Sequence, residues 1–382
     1  MVDGVRNAGV LGHALVGEVD FAVFVDGDVL EESVASDCVV DVGLRVFVEV
    51  DDLGIATAFV VEDAVVIPAV FVVADEETLG VGREGGLTGA REAEEDGGVL
   101  TFLVGVGRAV HRSDAAEGVV VVEIEGVVYE LATNNGPNAL HGGPTGFQHK
   151  NWETEVMDDG VRFTYRSADG EENYPGNLIA IAEYRWNNEN QLTLDLKAET
   201  DAPTVVNLTN HAYWNLEGAD AGSILDHEMK IEAEGWLLTD ETQIPTGEIA
   251  PVLNTPMDFR EFKKIGKDIK ADFEALKIGK GYDHCWVVKG WEEGKLQDVV
   301  TLKDTKSGRT MVVSSNQPGV QVYTGNWLAG SPKNHSGRSY EDYEGVAIEM
   351  QGFPDAPNKP QFPSQLLKPG ETYSRTIRFS FM

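Results

Sequence analysis

The chain is poor in the features that would tie it to a metal knuckle, a membrane or a nucleic acid. It has only two cysteines in 382 residues, Cys38 and Cys285, far apart and without C-x-x-C spacing. Neither a disulfide framework nor a zinc knuckle is indicated, and two free thiols in a reducing compartment are expected. None of the eight histidines falls in an H-x-H or H-E-x-x-H spacing, so neither a metal nor any other cofactor is expected. No apolar run reaches roughly 18 residues, and no basic segment leads into an apolar one at the start, which predicts a cytoplasmic protein with no membrane partner. Lysine and arginine number 30 against 64 acidic side chains, a net charge of −34. That field repels a phosphate backbone, and no Lys/Arg-rich cluster reverses it locally, which excludes nucleic acid as a partner.

The first third also lacks residue types that the rest uses freely. No Gln, Lys or Trp precedes Gln148, Lys150 and Trp152. Residues 1–140 hold 27 acidic and 6 basic side chains, so 21 of the 34 net negative charges sit there. Val-rich runs such as Val60-Val61 and Val119 to Val122 have β propensity, but Asp and Glu interrupt them irregularly and alternation is poor. An appended β-rich domain, an acidic extension or a stretch translated in the wrong reading frame would each give this composition; the abruptness of the change favours the last. The chain is therefore divided into an atypical segment, residues 1–120, and a regular domain, residues 121–382. Residues 1 to about 118 are not expected to supply the first strands of that domain.

From Val121 onward the signals are those of an all-β protein. Val161, Phe163 and Tyr165 alternate with Arg162 and Thr164 after the turn Asp158-Asp159-Gly160. Leu192, Leu194 and Leu196 repeat the pattern after Asn187 to Asn190, and Tyr373, Ile377, Phe379 and Phe381 share one face of a strand opened by Pro369-Gly370. Many short strands between turn signals predict a large antiparallel β-sandwich with few short helices. One stretch, Phe259 to Leu276, has apolar residues at near-helical spacing and predicts a helix lying against a sheet.

Candidate chemistry is sparse. His141 lies in a glycine-rich segment that lets the backbone turn sharply and a ligand approach closely. His211 lies in a dense run of hydrogen-bonding and aromatic residues, Asn207 to Leu216. Asp283 and His284 follow Gly281-Tyr282, and Glu349 ends the apolar run Val346 to Ile348. Taken singly, a loop histidine is more often structural than catalytic, and a Glu at a strand end is more often exposed. Trp214, Trp286 and Trp327 are more often core residues than platforms for a sugar.

Together and in this order, the segments resemble the aldose 1-epimerase (galactose mutarotase) family. Asn134 to Gly143 is similar to that family's first histidine motif, and Asn207 to Leu216 to its ten-residue signature. Gly281 to His284, Gln317 to Asn326, and Ala347 to Glu349 with Pro354 to Asn358 complete a series of five. The resemblance covers about residues 121–382 and implies a β-supersandwich that interconverts the α and β anomers of free hexoses such as glucose or galactose, as a monomer or homodimer. It implies Glu349 as general base and His141 as general acid, with His211 supporting the ring-oxygen side. It further implies that Asp283, Gln321 and Asn138 hold sugar hydroxyls.

The departure lies upstream. The family carries a Gly-Arg-x-x-Asn-Arg segment before its first histidine, whereas this chain has Gly107-Arg108-Ala109-Val110-His111-Arg112, leaving Arg112 as a further sugar-binding candidate. Two other readings follow from the same residues. A glycoside hydrolase would use Asp283 and Glu349 as a carboxylate pair roughly 5–10 Å apart. A non-catalytic carbohydrate-binding module would need no acid and base at all.

Overall fold

The computed structural model describes residues 120–382 apart from His335, together with the strands Gly9–Val16, Val19–Val25, Leu44–Val50, Ala56–Glu62, Val65–Val70 and Val104–Val106. Arg112 and Cys38 lie outside the described residues.

Alternation and turn chemistry build the hairpins that the sequence predicts. Val161, Phe163 and Tyr165 fall in Gly160–Ser167, which pairs with Glu153–Met157 across the Asp158-Asp159 turn. Gln191–Thr200 pairs antiparallel with Leu178–Asn187. The Asn187 side-chain oxygen closes that turn by accepting from the N–H groups of Glu189 at 3.0 Å and Gln191 at 3.1 Å.

These hairpins belong to a nine-stranded sheet in the order Lys263–Lys264, Glu228–Ile231, Gln297–Lys303, Thr310–Ser315, Tyr373–Phe381, Gln191–Thr200, Leu178–Asn187, Gly160–Ser167, Glu153–Met157. A six-stranded sheet runs Tyr213–Trp214, Val346–Gln351, Gly319–Tyr323, Asp283–Val288, Ala233–Thr239, Pro245–Pro251. Every pairing in both sheets is antiparallel. One apolar cluster takes Leu194, Leu196, Ile377 and Phe379 from the larger sheet and Trp286, Val320, Val322 and Ile348 from the smaller. The molecule is thus the expected antiparallel β-sandwich, and each such side chain contributes about 1.5–3 kcal/mol by leaving water.

The predicted helix is a correction. Of Phe259 to Leu276 only the end is helical, within Glu274–Ile278, while Lys263–Lys264 forms an edge strand and Ile265–Lys267 a single 3-10 turn. Phe259, Ile265, Ile269 and Leu276 are buried, but Phe262 is 49% exposed, so the spacing serves an irregular chain and not one helical face. The reason is local. Lys263 Nζ donates to the Pro256 carbonyl at 2.7 Å and to Asp268 at 3.0 Å, which holds the chain in a loop. A Cβ at Gly266 would lie 2.9 Å from the Leu225 side chain and carbonyl oxygen, so this backbone packs too closely for a helix studded with side chains.

One strand from before residue 118 forms a two-stranded sheet of its own with a strand of the regular domain. Val104–Val106 pairs antiparallel with Leu208–Asn210, in the heart of the His211 segment.

Candidate active site

Strand period places three of the candidates. Val346, Ile348 and Met350 point into the core, so Glu349 points out of it; Val320 and Val322 do the same for Gln321, and His284 and Trp286 for Asp283. Antiparallel register then sets Gln321 opposite Glu349, and Tyr323 opposite Asp283. Gln321 Nε2 donates to Asp283 Oδ1 at 2.7 Å. The same alternation turns His284 inward, edge-on to Trp236 and Trp286, where burial holds its imidazole down at about pH 3. Asp283 and His284 are adjacent in sequence yet only the carboxylate faces the site.

Two loops bring the imidazoles. Asn207 Nδ2 donates to the Gly352 carbonyl at 3.2 Å, and its Oδ1 accepts from the Gly352 N–H at 2.8 Å. Thr209 Oγ1 donates to the Met350 carbonyl at 2.8 Å, and Asn210 Nδ2 to the Tyr184 hydroxyl at 3.1 Å. The bonds to Gly352 and Met350 stitch the segment to the end of the Glu349 strand, the bond to Tyr184 ties it to the larger sheet, and His211 Nε2 lies 3.5 Å from Glu349 Oε1. His141 stands in a left-handed turn, φ +53°, followed by Gly142 at +82° and Gly143 at +101°. Gly143 takes a dihedral that favours glycine, and the Glu172 carboxylate packs against it where a Cβ would stand. Asn134 clamps the loop from the other side, accepting from the Leu140 N–H at 2.7 Å and donating to the Leu140 carbonyl at 2.9 Å. The rings of His141 and His211 meet edge to face, 5.5 Å between centroids.

Burial sets the electrostatics. Glu349 is 6% exposed, and desolvation lifts its carboxyl to about 7. The His211 imidazole pulls it back and the Asp283 charge pushes it further up. Desolvation, then the neighbouring His211 and His149, lowers His141 to about 4, so it is neutral at pH 7. Asp283 is raised by burial and drawn down again by Gln321, His211 and Gln243.

The structure therefore brings Glu349, His211, His141, Asp283 and Gln321 to one site. Asn138 is buried beside the turn at residues 240–244, with Nδ2 donating to the Thr242 carbonyl at 3.2 Å. Sequence reasoning missed Tyr213, Tyr323 and Gln243. Tyr213 lies 5.1 Å from the His211 ring and 6.0 Å from Tyr323, closing one side of the site. Tyr323 sits two residues after Gln321, so strand period alone would have found it. Gln243 sits in a turn and has no such signal. Among the described residues, no group of three or more His, Cys, Asp or Glu is placed to hold a metal, and no helix is long and apolar enough to cross a membrane.

Fold and site together define an antiparallel β-sandwich that carries a carboxylate–imidazole centre beside a second buried carboxylate, Asp283, held by Gln321. Residues 119–380 match the family model of aldose 1-epimerase. The chain is 43% identical to a galactose mutarotase of Bos taurus over 276 residues, 72% of this chain and 77% of that protein. It is 36% identical to an aldose 1-epimerase of Escherichia coli over 68% of this chain and 74% of that one. A solved galactose 1-epimerase from Lactobacillus acidophilus superposes with a TM-score of 0.64 at 25% identity, covering 89% of this chain and 94% of the other. A solved aldose epimerase homologue from C. elegans gives 0.63 at 31% identity, covering 72% and 81%. This chain belongs to the aldose 1-epimerase family.

Proposed function

We propose that the chain is an isomerase that interconverts the α and β anomers of a free aldose, a hexose such as glucose or galactose, by general acid–base ring opening and closure. The observation that carries the reading is the buried Glu349 carboxyl, lifted to about 7 and 3.5 Å from His211. Glu349 takes the proton from the anomeric hydroxyl, the bond between the anomeric carbon and the ring oxygen breaks, and the ring oxygen receives a proton from an imidazole. Rotation about the first carbon–carbon bond of the open aldehyde, followed by the reverse steps, gives the other anomer. Asp283, Gln321 and Asn138 hold the sugar hydroxyls. Arg112 keeps its place as a further sugar-binding candidate on the sequence resemblance alone.

The general acid is where the electrostatics modify the sequence reading. Holding His141 down at about 4 makes its cation costly at neutral pH, whereas His211 directly faces the carboxylate that works with it. We therefore assign proton donation to His211, and to His141 a neutral N–H that steadies the ring oxygen. His211→Asn is expected to lower kcat by about 10²-fold or more, and His141→Asn by less. The opposite ranking would return the acid role to His141.

Polarimetry on freshly dissolved α-glucose and α-galactose tests the function itself. Rotation should relax to its equilibrium value faster than in buffer alone, and equal rates would sink the reading. A glycoside panel run alongside should show no cleavage. Residues 121–382 are proposed to carry the activity as a monomer or homodimer in the cytoplasm. The composition change near residue 120 predicts that limited proteolysis trims the chain towards that point.

A further inference from the structure

Resting on the proposed function, one element that neither the family assignment nor the sequence motifs single out touches both halves of the sugar site. It is the turn at residues 240–244, which joins the strands Ala233–Thr239 and Pro245–Pro251. Asp240 makes it rigid. One carboxylate oxygen, Oδ1, accepts from the Thr242 N–H at 2.8 Å, the Thr242 hydroxyl at 2.8 Å and the Ile244 N–H at 3.1 Å. The backbone closes the turn with Asp240 N–H to the Ile244 carbonyl at 2.9 Å and Gln243 N–H to the Asp240 carbonyl at 3.0 Å. Gln243 takes φ +67°, a left-handed conformation that a long side chain adopts only when its surroundings fix it.

Two contacts leave this turn in different directions. Gln243 Nε2 donates to Asp283 Oδ2 at 3.4 Å, while Gln321 donates to the other oxygen. Both oxygens of Asp283 are thus held by amide donors, which fixes the plane of the carboxylate and leaves its remaining lone pairs to accept from elsewhere. The Thr242 carbonyl accepts from Asn138 Nδ2 at 3.2 Å. A carbonyl can only accept, so this bond decides which end of the Asn138 amide points where. Asn138 is 3% exposed, and its Oδ1 is left buried with no hydrogen-bond partner among the described residues. A buried, unpaired acceptor is costly unless a donor arrives.

We infer that the turn at 240–244 is a specificity element, in which Gln243 and the Thr242 carbonyl position Asp283 and Asn138 as acceptors for sugar hydroxyls. The ligand it selects is a sugar that presents hydroxyl donors to both. Gln243 is a positioning residue, acting through Asp283.

The test is a cycle between protein and substrate, read by polarimetry. Wild type, Gln243→Leu and Gln243→Glu are each assayed on glucose and on the monodeoxyglucoses that keep the anomeric hydroxyl. Gln243→Leu keeps the bulk and removes the donor; Gln243→Glu keeps the shape and faces Asp283 with a second carboxylate. In wild type, at least one deoxy sugar should lose about 10-fold or more in kcat/KM because an acceptor is left unpaired. In both variants KM for glucose should rise by about 10-fold with a smaller change in kcat, and the penalty for that same deoxy sugar should shrink to within about threefold. A merely structural role would weaken all the sugars alike and leave the penalty intact. An unchanged deoxy penalty in both variants, with glucose still turned over, overturns this inference alone. Absence of catalysis by wild type on every sugar overturns the functional reading beneath it.

Discussion

Among the described residues two glutamates are buried, one on each sheet, and they behave oppositely. Glu183, 3% exposed, lies on the larger sheet; burial pushes its carboxyl up, but Arg162 at 2.7 Å, Arg185 at 2.8 Å and Lys197 at 3.3 Å together outweigh that and hold it at about 2. Glu349, 6% exposed, has an imidazole at 3.5 Å and a second carboxylate as its charged influences, and stays near 7. Similar shielding from water thus goes with a permanent anion in one place, where the cover is the cations themselves, and with a titrating carboxyl in the other, where the cover is the protein interior. What separates them is the supply of cations: a carboxylate ringed by guanidinium and ammonium groups cannot take up a proton, and one left nearly alone in an apolar sheet can.

Swapping each for its amide breaks the comparison most strongly. Glu349→Gln keeps the shape but removes the basic lone pair, so the catalysed rate should fall by about 10²-fold or more. Glu183→Gln should leave that rate within about threefold and instead lower the unfolding free energy by about 2 kcal/mol, because three cations lose their shared partner. A rate loss in the second variant to match the first would erase the distinction. Next in size, Asp283→Asn should raise KM by about 10-fold with a smaller change in kcat, since it loses hydroxyl binding and not the reacting proton; equal KM values would remove Asp283 from the sugar site.

Stability against pH sharpens the contrast further, with opposite signs. The carboxyl of Glu183 is lowered on folding, so its stabilisation is present above the ordinary value near 4.5 and is lost as pH falls through about 2. The carboxyl of Glu349 is raised on folding, so the folded state binds the extra proton and stability declines as pH rises from about 4.5 to about 7. Denaturant melts of the two amide variants from about pH 2 to pH 8 should therefore depart from wild type in opposite directions: Glu183→Gln loses relative stability as pH rises from about 2 to about 4.5, and Glu349→Gln gains it from about 4.5 to about 7. Convergence of all three curves would mean that neither shift exists. The smallest expected effect is none: exhaustive chelation should leave mutarotation unchanged, and recovery of a lost rate by one added divalent ion would overturn the cofactor-free mechanism.

How much of this was legible in the sequence depended on period. Leu192, Leu194 and Leu196 announce their strand because one face is buried and the other is not, and the motif around Asn207 carries His211 with it. Phe259 to Leu276 misled for a physical reason: apolar anchors that dock a loop at irregular intervals can mimic helical spacing, and only Lys263's bonds and the close approach at Gly266 show otherwise. Residue type alone does not separate Asp283 from its neighbour His284; the resemblance picks out Asp283, and strand direction gives the physical reason. Gln243 was invisible, since its meaning comes from Asp283, 40 residues away in sequence. Nothing before residue 120 announced the short strand that pairs with Leu208–Asn210, because the surrounding composition shows no alternation.

The central claim is that Glu349 is a buried base poised near neutrality. Infrared difference spectra of wild type minus Glu349→Gln, titrated from acid to alkali, read the protonation of that one carboxyl, and the polarimetric rate can be followed over the same range. The expected carboxyl midpoint lies near pH 7, where burial lifts it, with the catalysed rate rising through the same point as the base ionises. A midpoint in the ordinary carboxylate range, or a rate that is flat through neutrality, would contradict it.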